Sequence, residues 1–315
     1  MSDAKSYSIK IGKEDVVDKR LLGETPLRQL QLTQLFLLDV IDAICRQEGI
    51  KYFLSYGTLI GAMRHNGFIP WDDDLDVSMP VDEYRKFLKA APKYLPESLM
   101  LQTPKSVPGC FEAFAKIRDL SSLVIEPHSS MTRPCGVYVD IFPMERFAVL
   151  PQGIWHLWAR GISVCWRRSR LHRTGNHRFW IGCIWSGICA LGWSSLRFVM
   201  RAVLRLLSTF AFRKEWILMP EAGGQDVEVG FPDREIFPFG VHEFEGKQYP
   251  VPRDADTYLT KYYGNWREPP PAASRSGHHS SVYLSVQAMP FWWTRPHASL
   301  RDVNIVNISA HIVKL

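Results

Sequence analysis

Residues 54–77 read LSYGTLIGAMRHNGFIPWDDDLDV, a stretch that combines a strand end, a helix, a turn and a cluster of carboxylates. The run KYFLSY over 51–56 predicts a short strand ending at Gly57, and TLIGAMRH predicts the helix that follows. Asn66-Gly67 predicts a turn, and LDVSM over 75–79 predicts a second strand.

Elements of both kinds continue on either side of this stretch. Helical spacing of apolar residues predicts helices over 27–47 and 81–91, and strand-like runs lie at 111–119, 122–127 and 136–144. Helices and strands in this mixed order indicate an α+β or α/β domain, and of the two we expect α+β, with a mixed sheet and flanking helices.

The carboxylates are the strongest chemical signal in the chain. Side chains two residues apart on a strand point to the same face, so Asp72, Asp74 and Asp76 are expected along one side, roughly 6–7 Å apart. Such a ridge can hold one or two hard cations such as Mg²⁺ or Mn²⁺, and paired metals serve phosphoryl transfer. A solvated acidic turn is the alternative.

A phosphate-binding element is expected just before the ridge. Gly57 lets a backbone approach a phosphate, and the helix that follows presents free N–H groups. An ordinary helix start capped by Thr58 is the alternative. Arg64 adds a positive charge that can neutralise phosphate.

Three further positions extend this hypothesis. Asp140 lies among apolar strand residues, where it can be a third metal ligand or a general base; a strand-end aspartate facing water is equally consistent with the pattern. Lys116 and Arg118 alternate on one strand and can clamp phosphates, unless they simply face solvent.

The segment 151–219 differs from the rest of the chain. It contains 11 of the 38 Lys and Arg residues but only one acid, together with seven of the 11 tryptophans. We expect basic helices that lie on an anionic membrane surface, with Arg197, Arg201 and Arg205 binding headgroups. The tryptophans expected at the interface are Trp155, Trp158, Trp166, Trp180, Trp185 and Trp193. Helices that merely cover a catalytic domain are the alternative.

Several strings together resemble the LicD family of phosphocholine transferases, which includes the fukutin-related proteins. The matching strings are residues 54–77, AKIRD (115–119), GVYVDIFPME (136–145) and FEGKQYPVPRDADTYLTKYYGNWREPPP (244–271). The resemblance implies a nucleotidyltransferase-like fold, with Asp74, Asp76 and Asp140 as metal ligands. His278 and His279 fall where the family often carries paired histidines, and they join the expected substrate site.

The resemblance also implies an activity: transfer of phosphocholine or a polyol phosphate from a CDP-activated donor to a sugar hydroxyl, with release of CMP. The alternatives are a nucleotidyltransferase that transfers an NMP, and a catalytically silent membrane-associated scaffold. The expected partners are the donor, a sugar or glycolipid acceptor and an anionic membrane, with no nucleic acid. Because the first residues are polar and no signal peptide is evident, we expect a cytoplasmic protein, peripheral on the inner face of the membrane.

These expectations divide the chain into four parts. A catalytic core spans 21–145, a helical basic and Trp-rich insertion spans 146–219, and the catalytic domain resumes over 220–280. A tail follows over 281–315.

Overall fold

The computed structural model of this 315-residue chain describes residues 7–106, 112–125, 136–149, 152–174, 180–211, 213–218, 229–275 and 281–284. His278, His279 and the tail beyond residue 284 lie outside these ranges.

The N-terminal half begins with a hairpin and a long helix. The elements are β1 (Tyr7–Ile11), β2 (Glu14–Asp18), α1 (Pro26–Glu48), β3 (Phe53–Leu54), α2 (Tyr56–His65), β4 (Asp76–Pro80) and α3 (Val81–Ala90). The sequence predicted α1 and α3 to within a residue or so. It did not predict the hairpin, whose Ile9, Ile11 and Val16 join the main core.

The remaining elements include most of the sheet and two long helices. They are β5 (Leu99–Gln102), β6 (Ala115–Asp119), β7 (Ser122–Ile125), β8 (Tyr138–Ala148), α4 (Gln152–Thr174), α5 (Trp180–Phe210), β9 (Lys214–Leu218), α6 (Asp233–Ile236), β10 (Gly240–Phe244), β11 (Lys247–Val251), α7 (Ala255–Tyr263) and β12 (Ser281–Leu284).

The central sheet is mixed, in the order β3-β4-β8-β6-β5, with β9 pairing the second half of β8. Strands β4 and β8 run parallel, whereas β3 with β4, β6 with β8 and β5 with β6 run antiparallel. Every other residue of the inner strands faces the core, where Val77, Ile117, Val139 and Ile141 are fully buried. The α+β expectation is therefore confirmed at the level of a mixed sheet with flanking helices.

Glycine is required where α2 ends and the chain turns back. Asn66 caps α2 in the left-handed conformation, with φ 53°. A Cβ on Gly61 would lie 2.4 Å from the Gly67 carbonyl oxygen, so only glycine allows this close return. The Asn66-Gly67 turn predicted from the sequence is thus confirmed, and it leads the chain back towards the acidic stretch.

Helices α4 and α5 occupy most of the basic segment and pack on the end of β8. Trp155 is buried against Phe147, with ring centroids 5.5 Å apart. Leu204 and Ile162 complete this small second core. None of the helices in the described ranges is both long and apolar enough to cross a bilayer.

Candidate active site

Three charged side chains form a row across three neighbouring strands. Asp76 on β4 pairs in register with Asp140 on β8, and Asp140 pairs in register with Lys116 on β6. Residues that pair directly across strands carry their side chains on the same face of the sheet. The Lys116 Nζ lies 2.7 Å from the Asp140 Oδ1, so the row contains an ion pair.

The acidic residues before Asp76 lie in a loop and not on the strand. We expected Asp72, Asp74 and Asp76 on one strand, but β4 begins only at Asp76. The expected alternation nevertheless holds in the loop, since Asp72 and Asp74 are partly exposed whereas Asp73 and Leu75 are buried. An extended backbone alternates its side chains even without strand pairing, which is why the strand prediction was wrong although the faces were right.

Side chains from α1 and α2 hold this loop in place. The Gln31 Nε2 donates to the Asp72 carbonyl at 3.0 Å, and the Gln34 Nε2 donates to the Asp73 carbonyl at 2.6 Å. The Thr58 Oγ1 accepts a hydrogen bond from the Asp76 amide at 2.8 Å. Thr58 is buried and is not the helix cap, a position that Ser55 occupies. Its hydroxyl therefore fixes the start of β4 instead of capping α2.

The first turn of α2 lies beside the acidic loop. Tyr56 has φ 51°, an uncommon value for a residue with a side chain. Its ring contacts Phe142 and Tyr262, with centroid distances of 5.2 and 5.1 Å. A Cβ on Gly57 would lie 3.0 Å from the Asp72 Oδ2. Backbone strain of this kind is found most often at functional sites, where the surrounding packing enforces it.

Negative charge accumulates at Asp76. Burial raises the pKa of Asp76 well above its usual range, and the charges of Asp140, Asp74 and Asp72 raise it further, while Lys116 lowers it. Burial also raises the pKa of Asp140, to about 6, although Lys116 opposes that shift. At Asp76, burial and the neighbouring carboxylates together outweigh the one lysine, so its protonated form is favoured until another cation arrives.

This charge suits a hard divalent cation. Among the described residues, no three His, Cys, Asp or Glu side chains form a ready-made metal site. Mg²⁺ is usually held by one or two carboxylates, with water and substrate phosphates supplying the other ligands. Asp74 and Asp76 satisfy that smaller requirement, so the residues fit a cation that binds together with a phosphate-bearing substrate.

Lys116 and Arg118 lie on the same face of β6 but are engaged within the protein. Both cations stack on the Tyr138 ring, at 3.7 and 4.5 Å from its centroid. Arg118 also donates to the Gly136 carbonyl at 2.7 Å and to the Gln102 side chain. Both are buried, which corrects the alternative that they face solvent. Arg118 is held in place by these protein partners, so its guanidinium is less available to bind a phosphate than an exposed arginine would be.

A second cationic group lies at the far end of α2. The Arg64 guanidinium donates to the Trp266 carbonyl at 3.0 Å, and its pKa is lowered by burial and by the nearby charge of Arg275. Arg275 in turn stacks on Trp71 at 4.6 Å. Trp71 directly precedes Asp72, so Arg275 lies beside the start of the acidic loop, and Arg64 lies near Arg275. Sequence reasoning missed Arg275 because it lies in a Ser- and Gly-rich stretch that shows no periodicity.

Comparisons with known proteins show which family and which proteins the chain is similar to. The family described as LicD/FKTN/FKRP, nucleotidyltransferase domain, matches residues 49–148, which span β3 to β8. The chain is 29% identical over 274 residues to the lipopolysaccharide cholinephosphotransferase LicD of Haemophilus influenzae, covering 80% of this chain and 96% of that protein.

Two further relatives match shorter stretches of the chain. The ribitol 5-phosphate transferase FKRP of Homo sapiens is 37% identical over 57 residues, covering 18% of this chain and 11% of that protein. The mannosyltransferase regulator 4 of Saccharomyces cerevisiae is 29% identical over 112 residues, covering 33% of this chain and 9% of that protein.

Proposed function

We propose, from the match of residues 49–148 to the LicD/FKTN/FKRP nucleotidyltransferase domain, that the protein transfers phosphocholine from CDP-choline to a sugar hydroxyl of a glycan or glycolipid. The observation that carries the proposal is the row of Asp76, Asp140 and Lys116 across three strands of that domain. The match to a lipopolysaccharide cholinephosphotransferase over 96% of its length supports the transferred group and the class of acceptor.

The charges suggest how the donor binds. Asp74 and Asp76 would hold a Mg²⁺ or Mn²⁺ ion, which supplies positive charge for the donor's pyrophosphate. Arg275 stacks on Trp71 at the start of the acidic loop and lies near Arg64, and both arginines would share the remaining phosphate charge. Positioning and charge neutralisation provide most of the acceleration in phosphoryl transfer, and these side chains are suited to both.

The acceptor would be activated on the Asp140 side of the row. The sugar hydroxyl attacks the phosphorus that carries choline, the bond from that phosphorus to the CMP oxygen breaks, and CMP leaves. Asp140 accepts the hydroxyl proton or orients the acceptor, and Lys116 holds its carboxylate in place at 2.7 Å. A carboxyl with a pKa of about 6 is well matched to accept a proton near neutral pH.

Product analysis tests this function directly. The purified chain is offered CDP-choline, CDP-ribitol or CDP-glycerol with Mg²⁺ and a glycolipid acceptor that lacks phosphocholine. We expect CMP and a phosphocholine-bearing acceptor from CDP-choline, and loss of both products with Asp76→Asn. Asp82→Asn is the matched control, because Asp82 is exposed on α3 and forms an ion pair with Arg85.

Two results would contradict the proposal. Release of pyrophosphate from CTP, with NMP on the acceptor, would indicate a nucleotidyltransferase that attacks the α-phosphorus. CMP release that is unchanged in Asp76→Asn would show that the carboxylate row does not carry the reaction.

A further inference from the structure

Helix α5 presents an apolar face that nothing in the described chain covers. Phe198 and Phe210 expose 72% and 77% of their surface. Smaller exposures continue the same pattern along the helix at Ile188, Leu191, Leu196, Val199, Val203, Leu206 and Leu207. From Ile188 to Phe210 this apolar face of α5 extends for roughly 33 Å at 1.5 Å per residue.

The opposite side of α5 is packed against the protein. Ala190, Leu204 and Ser208 are buried, and the Ser208 hydroxyl accepts a hydrogen bond from the Ala148 amide of β8 at 2.9 Å. The helix is therefore fixed on the end of the sheet by one face. Its orientation makes the outward face a permanent feature of the fold.

Arg197 and Arg201 of α5 point towards the rest of the protein, whereas Arg205 is exposed although it also contacts Glu145. Arg201 and Arg205 both bind the Glu145 carboxylate of β8, the latter at 2.7 Å. Arg197 stacks on the Trp166 ring of α4 at 4.7 Å. The expectation that these three arginines bind headgroups is thus wrong for Arg197 and Arg201. Glu145 belongs to β8 and Trp166 to α4, and the spacing of residues along α5 cannot show that these partners lie opposite the arginines.

The tryptophans follow the same pattern. Trp155 is buried in the second core, while Trp158, Trp166 and Trp193 are half-buried. The side chains of Trp180 and Trp185 lie outside the described residues. The exposed apolar surface of α5 therefore consists of Leu, Val, Ile and Phe side chains. It is not made of the tryptophans and arginines that we expected from the sequence.

The charged side chains of α4 and α5 indicate which kind of partner the apolar face can contact. Helices α4 and α5 contain no Asp or Glu, and their exposed charged side chains in the described ranges are Arg160, Arg167, Arg168 and Arg205. Two copies of such a surface would repel each other, whereas an anionic lipid surface would attract it. An apolar helix face edged only by positive charge is the pattern of helices that lie in a membrane interface.

We propose that α5 lies flat in the interface of an anionic membrane, with its apolar face among the acyl chains and the exposed arginines of α4 against lipid phosphates. Ile154, Leu157 and Val164 of α4 are exposed as well and enlarge the apolar area. This surface would bring the active site to a lipid-linked acceptor. The binding itself does not depend on the proposed reaction.

Vesicle sedimentation of the full chain tests the proposal. We expect binding to vesicles of 70% phosphatidylcholine and 30% phosphatidylglycerol, and at least tenfold weaker binding to phosphatidylcholine alone. The double variant Phe198→Ser, Leu206→Ser should lose binding by at least tenfold while keeping its circular dichroism and melting temperature. The double variant Arg167→Gln, Arg168→Gln should bind more weakly to the anionic vesicles only.

Matched variants separate this surface from general stickiness and from structural roles. Leu22→Ser removes an equally exposed apolar side chain (72%) from another region and should leave binding unchanged. Arg201→Gln should lower the melting temperature, because it leaves Glu145 with one fewer partner, without lowering lipid affinity in the folded protein.

The outcomes that would overturn the proposal are equally definite. Binding that survives Phe198→Ser, Leu206→Ser shows that another surface meets the lipid. A second contrary result is a parent chain that ignores vesicles and is a dimer by light scattering, while the same double variant is a monomer. That result shows that the face joins two copies. A vesicle-indifferent monomer shows that the face meets neither.

Discussion

Asp76 and Asp140 lie side by side on parallel strands, in direct register, although 64 residues separate them in the sequence. Lys116 continues the row on the other side of Asp140. Because burial and mutual repulsion act on the two acids, the site stores unfavourable charge that a bound cation relieves. Function and stability of the metal-free protein should therefore respond in opposite directions when one charge is removed.

Asp76→Asn should abolish transfer and raise the melting temperature of the metal-free protein at pH 7.5. The amide keeps the shape of the side chain but removes the charge that repels Asp140, Asp74 and Asp72. Thermal unfolding with and without Mg²⁺, beside turnover, measures both effects. Asp82→Asn should change neither quantity, and normal turnover of Asp76→Asn at saturating Mg²⁺ would refute the assignment.

Lys116 should act through Asp140. Lys116→Met removes the ion pair of 2.7 Å and should lower kcat, while Lys116→Arg should restore part of it, since the positive charge returns. Asp140→Asn should lower kcat by ~10²-fold if the carboxylate takes part in proton transfer. In the double variant the two losses should be far from additive, because both residues serve one step. Additive losses would show that Lys116 and Asp140 act independently.

Thr58 is expected to position the first residue of β4. Thr58→Val keeps the size of the side chain but removes the acceptor for the Asp76 amide. We expect a loss of about 1 kcal/mol in the free energy of unfolding and a drop in kcat, since Asp76 is no longer held at the strand start. Thr58→Ser retains the hydroxyl and should stay close to the parent protein. Equal behaviour of Val and Ser variants would argue against this role.

The cations near the site should separate into two groups. Arg118→Met leaves the Gly136 carbonyl and the Gln102 side chain without their donor, so we expect roughly 1–3 kcal/mol less stability. Arg64→Met and Arg275→Met should instead raise the KM for the CDP donor, with little change in stability or in acceptor affinity. Parallel urea unfolding and steady-state kinetics distinguish the groups. Identical profiles for Arg118→Met and Arg275→Met would contradict the separation.

Local pattern was enough to predict which face the candidate carboxylates occupy. Alternation along residues 72–77 placed Asp72, Asp74 and Asp76 on one side, although only Asp76 lies on a strand. The motif around Gly57 and Thr58 predicted a backbone that approaches a phosphate, and this stays a prediction. The alternative, in which Thr58 caps the helix, is wrong, because the hydroxyl accepts from an amide 18 residues away.

The sequence by itself determined the mixed class of fold, the candidate carboxylates and the resemblance to the LicD family. These three conclusions follow from short-range periodicity and from residue types, both of which can be recognised within a single segment of sequence. Only the tertiary structure decided that Asp140 lies beside Asp76. It also decided that Arg118 donates to Gln102 and that Arg201 pairs with Glu145 instead of facing solvent. The physical reason is that periodicity fixes which face a side chain occupies, whereas strand order and helix packing fix which charge or ring lies opposite it.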